Sequence, residues 1–389
     1  MTTFEQDNGF RRDSVHLGNW RDTPFSTWAF RNIPELIPMA RIEASTGTAE
    51  EPATDPSDLS KQEFELGGER KTVAEALRQT HTDALVVSKA GKFVADFLAP
   101  NVTVRSRHIL FSSSKSVTGI LAGMLVDDGR LDPEKVVTRY VPELEHSAFG
   151  DATVRHVLDM RTSLSFNEDY LDPMGDFARY RRAGLLDPPR EGSKKESVIE
   201  FLASLKKGSS DHGGPFHYCS PNSDVLGLIV ERASGQRFPD LISERLWRPI
   251  GAREDAYVTV DATGTARAGG GLFMTTRDFA RVGELMRLNG TMNGRRIVAA
   301  EWVRDTISGG SREAWQKGSG AYWLPDGNYR NQWYQLGDAF FALGIHGQWL
   351  YVNPKAETVI AKFSSQPEPI NNPLKHLNLA LFAALSEMV

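Results

Sequence analysis

Apolar positions along the chain follow two different periods, and the order in which those periods alternate predicts the architecture. Ala84–Val87 and Phe93–Phe97 are short β-favouring runs joined by Ser88-Lys89-Ala90-Gly91-Lys92, the composition of a hairpin with a glycine-containing loop. His108–Phe111 is a third short apolar run, and after Ser112 the residues Val117, Ile120, Leu121, Met124 and Leu125 recur at the three- and four-residue spacing of a buried helix. From Gly129 to Arg248 the pattern is helical, in sets such as Val154-Val157-Leu158, Val198-Phe201-Leu202-Leu205, Val225-Leu228-Ile229 and Leu241-Leu246, separated by Gly, Pro and Asp turns. Thr275-Thr276-Arg277-Asp278 starts another helix, and strands return at Gln332–Gln335, Gln348–Val352 and Val359–Phe363. Leu374–Leu385 reads as a closing amphipathic helix.

Sheet, helices, sheet, helix is the order of an α/β (α+β) fold: an antiparallel sheet built from both ends of the chain, flanked by helices, with a mostly helical insertion. The boundaries implied are an irregular N-terminal arm at 1–83 packed on the core, an α/β domain from 84–125 and 270–389, and a helical domain at 126–269. Within the arm, Ala44–Ser57 reads as a linker and Gly67–Thr72 as a turn.

Composition narrows the function. Forty-five basic against 50 acidic residues, with no long basic block, supply no footprint for nucleic acid. The single cysteine, Cys219, excludes an internal disulfide and a four-cysteine zinc site, and with no leader-like apolar run after a basic start the expectation is a cytoplasmic enzyme, monomer or homodimer, off the membrane. His212 and His217 flank a glycine pair without a carboxylate at ligand spacing, so neither metal nor cofactor is expected. G-x-S-x-G, G-x-x-x-x-G-K-[ST] and H-E-x-x-H are all absent.

Two S-x-x-K pairs remain, Ser112/Lys115 and Ser204/Lys207. Such a pair sets a hydroxyl and an amine one helical turn apart, and an apolar setting lets the lysine act as an activating base because burial disfavours its ammonium. Ser204/Lys207 lies in the polar SLKKGSSDHGG, where Lys206 and Lys207 suit the negative end of a helix. Ser112/Lys115 opens the most apolar helix, whose free N–H groups favour an oxyanion; its plain alternative is a serine-rich N-cap with a solvent-facing lysine. Cys219 reads as a small buried residue, with a thiol nucleophile as its alternative.

Phe216-His217-Tyr218-Cys219-Ser220-Pro221-Asn222 and Gly344-Ile345-His346-Gly347-Gln348 complete a pattern with Ser112/Lys115. In this order the segments resemble the three motifs of serine β-lactamases and penicillin-binding proteins, class C-like because the second motif carries a tyrosine. The phrases GRLDPEKVVTRYVPEL, VERASGQRFPDLISERLWRPIGA and AGGGLFMTTRDFARVGELM extend the resemblance from about Ala84 to the C-terminus. NEDYLDP, YCSPNSDVL and GIHGQ are similar to the 6-aminohexanoate-dimer (nylon-oligomer) hydrolases and related carboxylesterases. The resemblance implies a metal-independent serine hydrolase acting on esters or small linear amides. It makes Ser112 the nucleophile, Lys115 its activator and Tyr218 the group that accepts its proton and passes it to the leaving group, with the oxyanion hole formed by the N–H groups of Ser112 and Ile345. Tyr170, Arg181, Ser220, Asn222, His346 and Gly347 become the substrate-contacting positions. A D-aminoacyl peptidase or weak β-lactamase on the same residues is the alternative enzyme, and a catalytically idle penicillin-binding-like sensor the alternative from another class. Two departures matter: Ile345-His346-Gly347 stands where β-lactamases have Lys-Thr-Gly, and Arg181 stands where the nylon-dimer hydrolases can carry an acid.

Overall fold

The computed structural model describes residues 3–45, 59–193 and 195–389. Its central element is a seven-stranded, wholly antiparallel sheet in the order Asn328–Arg330, Trp333–Leu336, Ala339–Gly344, Gln348–Asn353, Thr358–Ser364, Thr82–Lys89, Lys92–Leu98. The strand Thr358–Ser364 pairs with Thr82–Lys89, Ile360 opposite Val87, so strands from the early and late parts of the chain meet within one sheet. Alternate residues of these strands enter different cores. Val86, Val359 and Ala361 pack with the helix Thr276–Arg287 on one face, while Leu85, Val87 and Ile360 pack with the C-terminal helix Asn372–Met388 on the other. Burial on both faces explains why the strands read as nearly continuous apolar runs rather than as polar alternation.

The expected hairpin at Ala84–Phe97 and the strand expected from Gln332 differ in detail. Ala90 and Gly91 form the tight turn of the first, both at positive φ (49° and 82°), so that Lys89 and Lys92 already belong to the strands. In the last part of the chain Asn331 and Gln332 form a turn at φ 50° and 69°, and the strand expected from Gln332 starts at Trp333. Gln332 is instead buried, accepting from Ser223 Oγ at 2.6 Å and donating to the carbonyls of Val157 and Leu158.

The arm is more regular than its composition suggests. Met39–Ile42 adds an antiparallel strand to Ala256–Thr259 in a second, four-stranded sheet that also contains Leu272–Thr275 and Arg107–Ile109. Glu63–Leu66 and Glu69–Thr72 form a hairpin around Gly67-Gly68, so the turn expected over 67–72 shrinks to its two glycines, and Thr72 and Glu75 cap the helix Val73–Gln79 reciprocally. Apolar side chains dictate this order: Phe10, Trp20, Trp28, Phe30, Ile33 and Ile37 make a small core with Ile109 and Phe111, directly beneath Ser112. Of the linker-like run at 44–57, all but Ala44 and Ser45 lies outside the described residues.

Between the halves of the sheet the chain is helical, with Asp176–Ala183, Val198–Ser204 and Pro221–Ser234 among its helices. Lys206 and Lys207 do not cap a helix, because they form a short strand against Leu164–Ser165. No described helix is long and apolar enough to cross a membrane.

Candidate active site

Ser112 sits where the strand Arg107–Ile109 hands over to the buried helix Ser114–Asp127. Phe111 takes the left-handed conformation, φ 45°, which turns the chain sharply into a single 3₁₀ turn over Phe111–Ser113. The aromatic core of the arm holds that turn, with Trp20 stacked on Phe111 and Phe30 edge-on to it. The helix can lie this deep because it presents glycines to its neighbours: a Cβ on Gly119 would meet the Asn331 carbonyl oxygen at 2.3 Å, and one on Gly123 would meet the Trp302 indole at 2.4 Å.

Lys115 is 2% exposed and donates to Ser112 Oγ at 3.0 Å and to the Gly269 carbonyl at 2.5 Å. Burial pushes its ammonium down to about 8, against the opposing attraction of the Glu168 and Asp224 carboxylates. Gly269 is itself fixed, since its N–H donates to Asp224 Oδ1 at 2.7 Å, and Asp224 also accepts from Tyr180 and from the buried Arg267. Ser204 and Lys207 have no such relation. Ser204 Oγ donates to the Phe201 carbonyl and accepts from Arg179, while Lys207 pairs with Asp151 at 2.6 Å.

The Tyr218 ring lies 5.4 Å from Lys115 Nζ. Its hydroxyl is pushed well above the ordinary phenol range by burial and by the Glu168 charge, with hydrogen bonds to the Ser112 and Ser220 hydroxyls pulling weakly the other way. The neighbouring ammonium therefore does not make Tyr218 a phenolate at rest; it is a neutral phenol. Glu168 is the polar residue that the sequence alone did not single out. It accepts from Tyr170 Oη at 2.6 Å, from Ser220 Oγ at 2.7 Å and from Ser220 N at 2.6 Å, and so ties the Asn167–Pro173 loop to the second motif. Only its place in the quoted NEDYLDP, two residues before Tyr170, pointed to it.

The third motif is a tight turn with His346 at φ 59° and Gly347 at φ 89°. A Cβ on Gly347 would fall 2.6 Å from Gln366 Nε2, so only glycine passes there. Gly344 approaches the Leu110 carbonyl just as closely, which brings Ile345 beside Ser112, and both residues line two adjoining clefts. His346 is buried against Phe30 and Phe111 and donates from Nδ1 to the Gln366 carbonyl at 2.7 Å. Burial pushes its imidazole down to about 4, so it is neutral and supplies no cation for a substrate carboxylate. Asn222 is directed away from the clefts, accepting from Thr162 at 2.7 Å and reaching Met160 Sδ. Its side chain is thus part of the packing under the second motif rather than a substrate contact. Cys219 is fully buried and its thiol is pushed up by burial, which suits packing and not attack.

One cleft, about 850 Å³, runs from Ser112 past Tyr170, Phe177 and Arg181 to Trp20 and Arg21 of the arm. The other, about 760 Å³, runs from Ser112 past Tyr218 and Glu168 to Trp323 and Lys375. Among the described residues no group of three or more His, Cys, Asp or Glu side chains could hold a metal ion.

Residues 69–384 match the β-lactamase family. The chain is 38% identical over 357 residues to 6-aminohexanoate-dimer hydrolase of Paenarthrobacter ureafaciens, covering 91% of this chain and 88% of that one. A solved structure from Bacillus anthracis, assigned provisionally as a 6-aminohexanoate-dimer hydrolase, superposes with a TM-score of 0.89 at 26% identity over 97% of this chain and 98% of its own. A family VIII carboxylesterase shares the fold at a TM-score of 0.57 and 15% identity, over 79% of this chain and 96% of that one. The family match and the likeness to a named hydrolase agree: the chain belongs to the β-lactamase family and is a serine hydrolase.

Proposed function

We propose that the protein hydrolyses carboxylic esters and small linear amides through an acyl-enzyme on Ser112. The observation that carries this reading is the 3.0 Å contact between Ser112 Oγ and a lysine whose ammonium is destabilised by burial. In its neutral form Lys115 takes the Ser112 proton while Oγ bonds to the substrate carbonyl carbon. The N–H groups of Ser112 and Ile345 bind the oxyanion. As the tetrahedral species collapses, the bond to the leaving group breaks and Tyr218, a phenol at rest, protonates the departing oxygen or nitrogen; the Lys115 ammonium then returns a proton to Tyr218. Water completes the cycle by the reverse path, and Ser112 recovers its proton. Glu168 orients Ser220 and Tyr170 and keeps part of the lysine population charged. The lack of a cation in the third motif favours simple esters over β-lactams. The likeness to a hydrolase of aminohexanoate dimer supports a linear amide as a further substrate.

The test is intact-mass detection of a covalent adduct after exposure to 4-nitrophenyl esters, linear amides and β-lactams. Ser112→Ala is expected to abolish turnover and adduct, and Ser204→Ala to retain both. An adduct on a peptide lacking Ser112 would overturn the assignment.

A further inference from the structure

We propose that the cleft between Ser112 and the N-terminal arm is a carboxylate-binding subsite, so that the preferred acyl group is a dicarboxylic acid esterified or amidated at one end. The proposal rests on the serine-hydrolase reading above and extends it to the substrate class. Tyr218 lines only the cleft on the Glu168 side, which puts the leaving group there and the acyl chain in the other.

The acyl-side cleft has an apolar middle and a cationic end. Trp20, Phe111, Tyr170, Phe177 and Leu186 supply walls that a methylene chain would cover. Beyond them Arg21 and Arg181 both line the cleft and share a single acid, Asp187. Arg21 reaches Asp187 Oδ1, and Arg181 Nε donates to Oδ2 at 2.7 Å. Asp187 does not line the cleft, so two arginines border it while the carboxylate they share does not. Backbone carbonyls fix their positions: Arg21 also donates to Leu186 at 3.0 Å and Arg181 to Tyr170 at 3.1 Å. Arg267 lines the same cleft, and its Nη1 is buried without a hydrogen-bond partner. One acid, Asp22, is in the lining, and it is exposed at the rim where water screens it. Paired, partly buried guanidinium groups with donors to spare recognise a planar carboxylate, and they repel an ammonium. The arm therefore completes the substrate site, because Trp20 and Arg21 both come from it.

Three 4-nitrophenyl esters of equal chain length separate the possibilities: the monoester of adipic acid, the hexanoate and the 6-aminohexanoate. They share one leaving group, so only the far end of the acyl chain varies. Wild-type kcat/KM is expected to be higher for the adipate monoester than for hexanoate by at least about tenfold, and lowest for the aminohexanoate. Arg181→Gln and Arg21→Gln should each collapse the adipate-to-hexanoate ratio, and raised salt should lower it. A ratio within one preparation does not depend on how much of a variant folds, and the wild-type ratio decides by itself. Equal rates for adipate monoester and hexanoate, or a preference for the ammonium ester with Asp22 as its partner, would overturn the subsite. Absence of turnover of all three esters would instead overturn the serine-hydrolase reading.

Discussion

The pH dependence of ester hydrolysis follows from the surroundings of Lys115, and it can be worked out before any measurement. Burial holds the ammonium near 8. Only the neutral amine can take the Ser112 proton, and a group titrating at about 8 is about 10% neutral at pH 7 and about 90% neutral at pH 9. With an uncharged ester, whose own charge does not change, kcat/KM should therefore rise about tenfold between those pH values and then level off. Glu168 opposes the effect of burial, since its negative charge favours the ammonium. Glu168→Gln removes that charge, so Lys115 loses its proton more readily and the rising limb moves to lower pH. A tenfold weakening of proton affinity would lift the neutral fraction at pH 7 from about 10% to about 50%. The plateau should fall in the same variant, because the carboxylate that holds Ser220 and Tyr170 is gone. Limb position and plateau height are separate readings of one profile, so the electrostatic effect can be told from loosening of the site. Steady-state kinetics on an alkyl ester from pH 6 to 10, for both proteins, makes the comparison. A wild-type rate that is flat from pH 7 to 9, or a variant limb that stays in place or moves up, would refute the role given to Lys115 or the influence given to Glu168.

Tyr218→Phe should lower kcat by about 10²–10⁴ for alkyl esters and by much less for 4-nitrophenyl esters, because a good leaving group needs no proton; equal losses on both would remove Tyr218 as the leaving-group acid. Gly123→Ala sets a methyl group against the Trp302 indole and should cost about 1–3 kcal/mol in denaturant unfolding, whereas an unchanged midpoint would mean that the helix shifts freely. Lys362 is buried in the central sheet, donates to Ser364 Oγ and is pushed down to about 7 by burial. The folded state binds fewer protons than the unfolded one above that value, so stability gains from this group as pH rises from about 7 towards 10, and its buried charge costs most below pH 7. Lys362→Met should accordingly raise the melting temperature more at pH 6 than at pH 10, and an equal effect at both would show that burial does not weaken the lysine's hold on its proton.

Much of the architecture could be read from local pattern. Strands such as Thr82–Lys89 and Thr358–Ser364 are buried on both faces, and the helix Ser114–Asp127 is buried from Ser114 to Leu125, so each needed an apolar run that shows in the chain itself. The contrast between the two S-x-x-K pairs was legible for the same reason: one stood in an apolar helix start and the other among polar residues, and the structure joins Lys115 to Ser112 while Lys207 turns to Asp151. Turn tips were less legible, as Asn331-Gln332 shows, because positive φ at non-glycine residues leaves little trace in composition.

The charges and partners of the site were decided by tertiary structure. Whether His346 is a cation depends on Phe30 and Phe111 burying it, and whether Tyr218 is a phenol depends first on its burial and then on the Glu168 charge. Asn222 faces Thr162 rather than substrate because of where one helix begins. The arm gave no local sign that Trp20 and Arg21 wall a cleft, since the contacts that place them, such as Trp20 Nε1 to the Leu186 carbonyl, join residues 166 positions apart. Hydrophobic period is a property of neighbours in sequence, and so the chain alone determined its strands, its helices and the apolar setting of Ser112. Desolvation and Coulomb interaction are properties of neighbours in space, and so only the folded molecule decided which side chains are charged and what the cleft can hold.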